Sequence, residues 1–231
     1  MEAIILAGGF GTRLQAVVAD VPKPMAPIGQ VPFLSYLLKY LHNYGVRKAV
    51  LSTGYLSDKI KDYYGDSFGG DMELVYSVEQ EPLGTGGAVL QSASYTADDN
   101  ILVINGDTFF DVDLQKMMFE HLQKGADMTI ALKPMKDFER YGTIELLQDR
   151  VVAFQEKQPT AEGNINGGIY IIKKDLLSQF NVGTKFSLEV DFLQKYFNQL
   201  DIRGFISTEY FIDIGIPEDY LRAQSELIKY E

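Results

Sequence analysis

The sequence predicts an α/β fold, a Rossmann-like and mainly parallel sheet flanked by helices, on three observations. Short apolar runs recur at 3–6, 49–52, Met72–Val78 and 101–104. Helical periodicity fills most of the spaces between them. The first run, Ala3-Ile4-Ile5-Leu6, empties into the glycine-rich turn Gly8-Gly9-Phe10-Gly11-Thr12-Arg13-Leu14. Strands that alternate with helices form a parallel sheet, and such a sheet binds ligands beyond the carboxyl ends of its strands.

The elements follow in order. Helices are expected over Phe33–Asn43, Ser57–Tyr64 and 85–94. A fourth opens after the N-cap Asp113, runs through Leu114, Met117, Met118 and Leu122, and stops before Gly125. From Asp127 the strands shorten, at 128–132, Thr143–Leu147, 151–154 and 165–172, and resemble a smaller mixed or antiparallel β insert that covers the cleft. Helices at 174–180 and 188–199 come next, the second with Ser187 as N-cap and Glu189 in its first turn. Strands at Ile202–Ile206 and 210–214 precede a closing helix that starts at Pro217, a residue suited to a first turn. No repeat or linker interrupts the chain, so a single domain over 1–231 is expected.

Composition narrows the function. A net charge of -11 argues against a nucleic-acid or membrane-surface binder, both of which need a broad positive field. An anionic ligand must therefore meet locally placed cations. The chain has no cysteine, which excludes disulfides, thiolate catalysis and sulfur-ligated zinc. Met1-Glu2 leads straight into a strand and no stretch reaches the roughly 20 apolar residues of a membrane span, so a cytoplasmic protein is expected. Apolar faces on the later helices either complete the core or make a homo-oligomer contact.

The glycine turn reads as a phosphate cradle, with bare backbone N–H groups from the turn and fixed positive charge from Arg13 and Lys23. A dinucleotide fingerprint would place a third glycine where Leu14 stands, and no Walker lysine follows. A purely structural strand-to-helix turn is the alternative. Lys23 lies between Pro22 and Pro24, which restrict the backbone and hold the ammonium at a defined reach. Asp107 follows the apolar strand 101–104 and the small pair Asn105-Gly106, so it projects at the open end of the sheet, where a magnesium ligand belongs. Asp213 sits in Phe211-Ile212-Asp213-Ile214-Gly215, where an isolated charge is costly unless a cation meets it. Two separated aspartates match magnesium, which takes one or two carboxylates and fills its shell with phosphate and water. Structural ion pairs are the alternative for each.

Glu156-Lys157 sets an acceptor beside a cation, either for a sugar hydroxyl and a phosphate or as a solvated pair. Asn166-Gly167-Gly168 combines an amide with close backbone approach, or is a strand bulge. His42 and His121 fall in amphipathic helices and read as surface or packing residues.

Taken in order, the glycine loop, Pro22-Lys23-Pro24-Met25, Leu83-Gly84-Thr85-Gly86-Gly87, Asn105-Gly106-Asp107, Glu156-Lys157 and Phe211-Ile212-Asp213-Ile214-Gly215 closely resemble the sugar-1-phosphate nucleotidyltransferases across nearly the whole length. Such enzymes join an NTP to a sugar 1-phosphate, giving an NDP-sugar and pyrophosphate. The resemblance implies that 1–126 mainly holds the nucleotide and 127–231 mainly the sugar. It implies nucleotide contacts at Leu6, Ala7, Gly8, Gly9, Gly11, Thr12, Arg13, Lys23, Glu79, Pro82, Gly84 and Thr85. Arg13 supports the departing pyrophosphate, and Arg13, Lys23 and Asp107 are the implied catalytic residues. Sugar-phosphate contacts are implied at Gly142, Glu156, Lys157, Asn166, Gly167 and Glu189, and a Mg2+ pair at Asp107 and Asp213.

The loop Glu79 to Gly87 resembles that of guanylyltransferases. A carboxylate at Glu79 can accept the N1–H and N2–H of guanine, which favours GTP, although a uracil N3–H can meet it too. The whole pattern is most similar to enzymes that use D-glycero-α-D-manno-heptose 1-phosphate and feed bacterial surface glycans. Mannose 1-phosphate guanylyltransferases and uridylyltransferases of the same family are the alternatives. A silent sugar-nucleotide-binding regulatory subunit is the alternative of a different class.

Overall fold

The computed structural model describes residues 1–9, 18, 21–54 and 56–230. Strand β1 (Glu2–Leu6) buries Ala3, Ile4 and Ile5 completely. An apolar strand covered on both faces belongs at the centre of a parallel sheet. Ala3 and Ile5 face one hydrophobic layer and Ile4 the other.

A short antiparallel ribbon, β2 (Pro27–Ile28) and β3 (Val31–Pro32), turns at Gly29 with φ +61° and leads into α1 (Phe33–Asn43). Helix α1 buries Phe33, Leu34, Leu37, Leu38 and Leu41 against the face of Ala3 and Ile5. Strand β4 (Lys48–Thr53) follows, then α2 (Ser57–Tyr64), the edge strand β5 (Ser67–Phe68) and β6 (Met72–Val78). Helix α3 (Gly84–Ala93) packs Val89 and Ala93 on the opposite face, with Ile4. Strand β7 (Asn100–Asn105) then returns to the free side of β1.

The parallel order β6-β4-β1-β7 therefore reverses between β1 and β7. A crevice opens at such a reversal. Strand β8 (Thr108–Phe110) and α4 (Leu114–Lys124) close the first half. Asp113 caps α4 by accepting from the Lys116 amide at 2.9 Å, and Gly125, at φ +61°, ends it.

In the second half, β9 (Met128–Phe138), β10 (Thr143–Leu147), β11 (Arg150–Gln155) and β12 (Thr160–Lys173) extend the same sheet. β12 pairs antiparallel with β7, Ile169 opposite Ile104, and β9 pairs antiparallel with β12. The mixed insert shares its strands with the main sheet. It consists of the far ends of β9 and β12 together with β10 and β11, which Thr143 joins by pairing with both Gln155 and Ile165. Strand β13 (Ile202–Ile206) runs parallel to β9, completing a ten-stranded mixed sheet.

Two expected helices differ. At 174–180 only the 3-10 turn Leu177–Gln179 forms. The Lys174 amide is held by Asp99 O at 2.8 Å and its ammonium by Thr96 O, which ties the segment to the loop before β7. The stretch 188–199 is irregular, a π-helical turn Leu188–Leu193, one α turn, α5 (Gln194–Tyr196), and a 3-10 turn Phe197–Gln199. Ser187 does cap it, accepting from the Val190 amide at 3.2 Å. The Leu188 amide, which has no intrahelical partner at the start of a helix, is taken by Thr85 Oγ1 at 2.8 Å, far away in sequence.

Strand β14 (Phe211–Asp213) and helix α6 (Pro217–Glu226), with Pro217 in its first turn, end the fold. Tyr220, Ala223 and Leu227 complete the core while Leu221 stands exposed. His121 is a packing residue, buried between Thr129 Oγ1 at 2.8 Å and Asn100 Oδ1 at 2.9 Å. His42 pairs with Asp71 at the surface. Among the described residues no helix is long and apolar enough to cross a membrane.

Candidate active site

The Gly106 amide donates to Leu6 O at 3.0 Å, and a Cβ on Gly106 would stand 2.5 Å from that oxygen. Only glycine lets Asn105-Gly106-Asp107 lie flat against the end of β1. Asp107 is thereby delivered to the crevice between β1 and β7. Strands β8 and β14 pair antiparallel with Thr108 opposite Asp213, and the Ile214 amide donates to Asp107 O at 3.0 Å. This two-stranded ribbon brings together two aspartates that are distant in sequence.

Lys23 opens a 3-10 turn, Lys23–Met25, closed by the Met25 amide on Pro22 O at 2.7 Å and by the Ala26 amide on Lys23 O at 3.0 Å. Its ammonium lies 2.5 Å from Asp107 Oδ2. Asp213 Oδ1 accepts the Gly215 amide at 2.7 Å and Oδ2 accepts the Tyr141 hydroxyl at 3.4 Å. Burial and the charge of Asp107 raise the Asp213 pKa, while Lys23 and the Gly215 amide pull it back down. Tyr141 also accepts from Arg140 at 3.1 Å, and Arg140 pairs with the buried Asp219. Burial, and next the charge of Asp213, push the Tyr141 phenol up to about 12, so it remains a donor.

Two chambers meet at this cluster. The smaller, about 280 Å3, is lined by Leu6, Gly8, Gly9, Lys23, Glu79, Pro82, Gly84 and Thr85, among others. The larger, about 610 Å3, is lined by Tyr141, Gly142, Glu156, Lys157, Asn166, Tyr170, Glu189 and Asp213, among others. Asn105 and Asp107 belong to both walls. Asn105 Oδ1 is buried and has no hydrogen-bond partner among the described residues.

In the smaller chamber Glu79 folds back over Gly8, where a Cβ would stand 2.6 Å from Glu79 Oε1. Its carboxylate accepts from Ser52 Oγ at 3.1 Å and from the Leu83 amide at 3.0 Å, and each oxygen keeps room for another donor. The glycines that begin α3 serve packing. The Gly86 and Gly87 amides both donate to Phe186 O, and a Cβ on Gly87 would stand 2.2 Å from Thr184 O. In the larger chamber Gly142 presses on Gln155 O, 2.4 Å from where its Cβ would be.

Most residues expected from sequence line one chamber or the other. Ala7 is buried behind the smaller one, its amide on Ser52 O at 2.8 Å. Gly167 packs on the Phe110 ring, within the bulge where β12 shifts register against β9 between Asn166 and Tyr170. Phe10, Gly11, Thr12, Arg13 and Leu14 lie outside the described residues. Sequence reasoning missed Asn105, Tyr141 and Tyr170. Asn105 heads the Asn-Gly-Asp turn and Tyr141 directly precedes Gly142, which were the available signals; Tyr170 sits in an apolar strand and gives none.

A nucleotidyl transferase family model matches residues 2–230. The chain belongs to the nucleotidyl transferase family. Relatives within it include the D-glycero-alpha-D-manno-heptose 1-phosphate guanylyltransferase of Aneurinibacillus thermoaerophilus, 53% identical over 230 residues and 100% of both chains. The Campylobacter jejuni protein of the same description is 46% identical over 95% of this chain and 97% of its own. The crystal structure of HddC from Yersinia pseudotuberculosis superposes with a TM-score of 0.88 at 38% identity, covering 98% of this chain and 99% of that one. Its complex with GMP-PN gives 0.87.

Nucleotidyl transferases generally use a divalent metal. The donors here fit one, because the paired strands β8 and β14 set two hard carboxylates, Asp107 and Asp213, on one chamber wall. Among the described residues no group of three or more metal-ligating side chains exists, so the ion would complete its shell with oxygens from outside the protein.

Proposed function

We propose that the protein transfers the GMP unit of GTP to D-glycero-α-D-manno-heptose 1-phosphate, giving GDP-heptose and pyrophosphate and so supplying an activated heptose to glycan assembly. The observation that carries the reaction type is the wall shared by two chambers, Asn105 and Asp107, with the Lys23 ammonium beside it. Full-length likeness to heptose 1-phosphate guanylyltransferases supports the choice of base and sugar. The first half supplies the nucleotide chamber and the second half the sugar chamber.

GTP enters the smaller chamber with its base against Glu79, Pro82 and Gly84 and its phosphates along Gly8, Gly9 and Lys23, continuing to Gly11, Thr12 and Arg13. Heptose 1-phosphate occupies the larger chamber, its hydroxyls toward Glu156, Asn166 and Glu189 and its phosphate toward Lys157. A phosphate oxygen of the sugar attacks the α-phosphorus of GTP, a new P–O bond forms, and the bond to the β-phosphate oxygen breaks to release pyrophosphate. The attacking oxygen is already ionised at neutral pH, so the step needs positioning and charge neutralisation and no general base. That agrees with a site that has no histidine among its lining residues.

Lys23 neutralises charge at the junction of the chambers, and Pro22 and Pro24 hold it there. Asp107 and Asp213 would hold magnesium, which supplies positive charge to phosphate oxygens. Tyr141 keeps Asp213 oriented. With a chain of net charge -11, these cations are what admits two anionic substrates. The lack of cysteine suits a reducing cytoplasm, where we place the protein.

The test is product identification by mass after incubation with GTP, heptose 1-phosphate and magnesium, using GTP chiral at the α-phosphorus and phosphorus NMR of the product to read its configuration. GDP-heptose with inverted configuration is expected. Retention would mean two displacements and contradict direct attack, and absence of GDP-heptose would remove the substrate assignment.

A further inference from the structure

Thr85 borders the smaller chamber, yet its hydroxyl is committed to the larger one. Oγ1 donates to Glu189 Oε2 at 2.8 Å and accepts the Leu188 amide at 2.8 Å. The same Glu189 oxygen accepts from Ser187 Oγ at 3.0 Å. Glu189 Oε1 accepts from the Tyr170 hydroxyl at 2.8 Å, and Tyr170 in turn accepts from Asn166 Nδ2 at 2.8 Å. Tyr170 is completely buried.

The direction of every bond in this chain is fixed. An ionised carboxylate only accepts, so Thr85, Ser187 and Tyr170 must each give it their single hydroxyl proton. Having donated, Tyr170 can only accept, which is what Asn166 requires. Thr85 consequently has no proton left for an acceptor on a nucleotide base. Among the described residues, the chamber wall keeps one unused N–H on Asn166 and one unused lone pair on Glu189 Oε1, with the Tyr170 hydroxyl between them. A donor and an acceptor so spaced suit a sugar hydroxyl, which both gives and takes a hydrogen bond.

We infer that Thr85 is a positioning residue for the sugar and not a base contact: it anchors the Glu189 carboxylate at the wall of the sugar chamber, so a residue on the base-side loop sets affinity for the sugar 1-phosphate. The inference rests on the assignment of chambers above. The loop itself is held independently, by the Gly86 and Gly87 amides on Phe186 O and the Phe186 amide on Leu83 O. Removing the Thr85 hydroxyl therefore loosens Glu189 by taking away one of its three hydroxyl donors, while leaving the backbone that faces the nucleotide in place.

The experiment is calorimetric binding of GTP and of heptose 1-phosphate, each alone, to wild type, Thr85→Val, Thr85→Ser and Tyr170→Phe, with melting temperatures as a folding check. Thr85→Val is expected to weaken the sugar 1-phosphate about tenfold, the loss of one hydrogen bond to a charged group, and to leave GTP within about twofold. Thr85→Ser restores sugar affinity, and Tyr170→Phe reproduces the selective loss. Weakened GTP with sugar affinity within about twofold would overturn the inference and make Thr85 a base contact. Equal loss of both ligands would overturn it as well, as a general effect of the loop. Wild type that binds neither ligand would fail the functional assignment itself and the inference with it, which separates the two failures.

Discussion

The Lys23 ammonium stands 2.5 Å from Asp107 Oδ2, and Gly215 leaves the space that both it and Asp213 occupy. A Cβ on Gly215 would lie 3.1 Å from the ammonium and 2.7 Å from Asp213 Oδ1. One cation and two carboxylates are thus packed at the meeting point of two chambers. This is a charge cluster that substrates must enter and rearrange, because phosphates compete for Lys23 and a metal ion competes for the carboxylates.

Lys23→Ala and Asp107→Ala are each expected to lower kcat by about 10²- to 10³-fold, the scale for losing one preorganised charge at a reacting centre. The far-UV spectrum and melting transition should stay those of a folded protein. Turnover within threefold of wild type in either variant would remove that residue from the mechanism.

Gly106→Ala and Gly87→Ala place a Cβ 2.5 Å from Leu6 O and 2.2 Å from Thr184 O, both backbone atoms that cannot rotate away. Each should destabilise by about 1–3 kcal/mol in urea unfolding, as overpacking does. Gly106→Ala should in addition lower kcat, since it moves Asp107 away from Lys23. Wild-type stability in both would contradict the close packing described.

His121 gives a pH dependence. Burial, and secondarily the charge of Lys173, depress its pKa to about 4, against 6.5 for the free side chain, while Asp127 acts the other way. The unfolded chain then takes up a proton between pH 6.5 and 4 that the folded protein refuses, so this contribution is full above 6.5 and lost as pH falls through that window. The loss is on the order of 2–3 kcal/mol. Urea unfolding at pH 7.5, 6 and 4.5 should show it, and His121→Gln should flatten the part between 6.5 and 4. An unchanged profile in the variant would assign the acid sensitivity to carboxylates.

Glu79→Gln should reduce the preference for GTP over UTP by about tenfold or more, because an amide accepts at one end only and offers N–H groups toward the N–H face of guanine. Competition kinetics with the two nucleotides measures it. An unchanged ratio would move base recognition elsewhere in the loop.

Much of the first half was legible because each element carries its own signal. The periodicity of α1 and α2 defines their bounds, and Asp113 and Gly125 mark the ends of α4. What stayed hidden depends on contacts between distant segments. The antiparallel pairing of β12 with β7 is decided by register across the sheet, and nothing local in either strand encodes it. The irregular stretch at 188–199 is tied at its start to Thr85, a partner its own residues do not reveal. In the site, Lys23, Asp107 and Asp213 were readable as charges held beside prolines, glycines or apolar strands. Their convergence needed the β8–β14 ribbon. Tyr170 acts through a single hydroxyl in an apolar strand that otherwise looks like core, so no motif marks it, and Tyr141 had only its place before Gly142 to single it out.

The central claim is most directly tested by magnesium-dependent pyrophosphate release, with kcat/KM measured for GTP, UTP, ATP, CTP and dTTP against heptose, mannose, glucose and N-acetylhexosamine 1-phosphates. The account predicts that GTP with D-glycero-α-D-manno-heptose 1-phosphate exceeds every other pair. A different productive pair at equal or higher kcat/KM would contradict the substrate assignment, and no release with any pair would contradict catalysis itself.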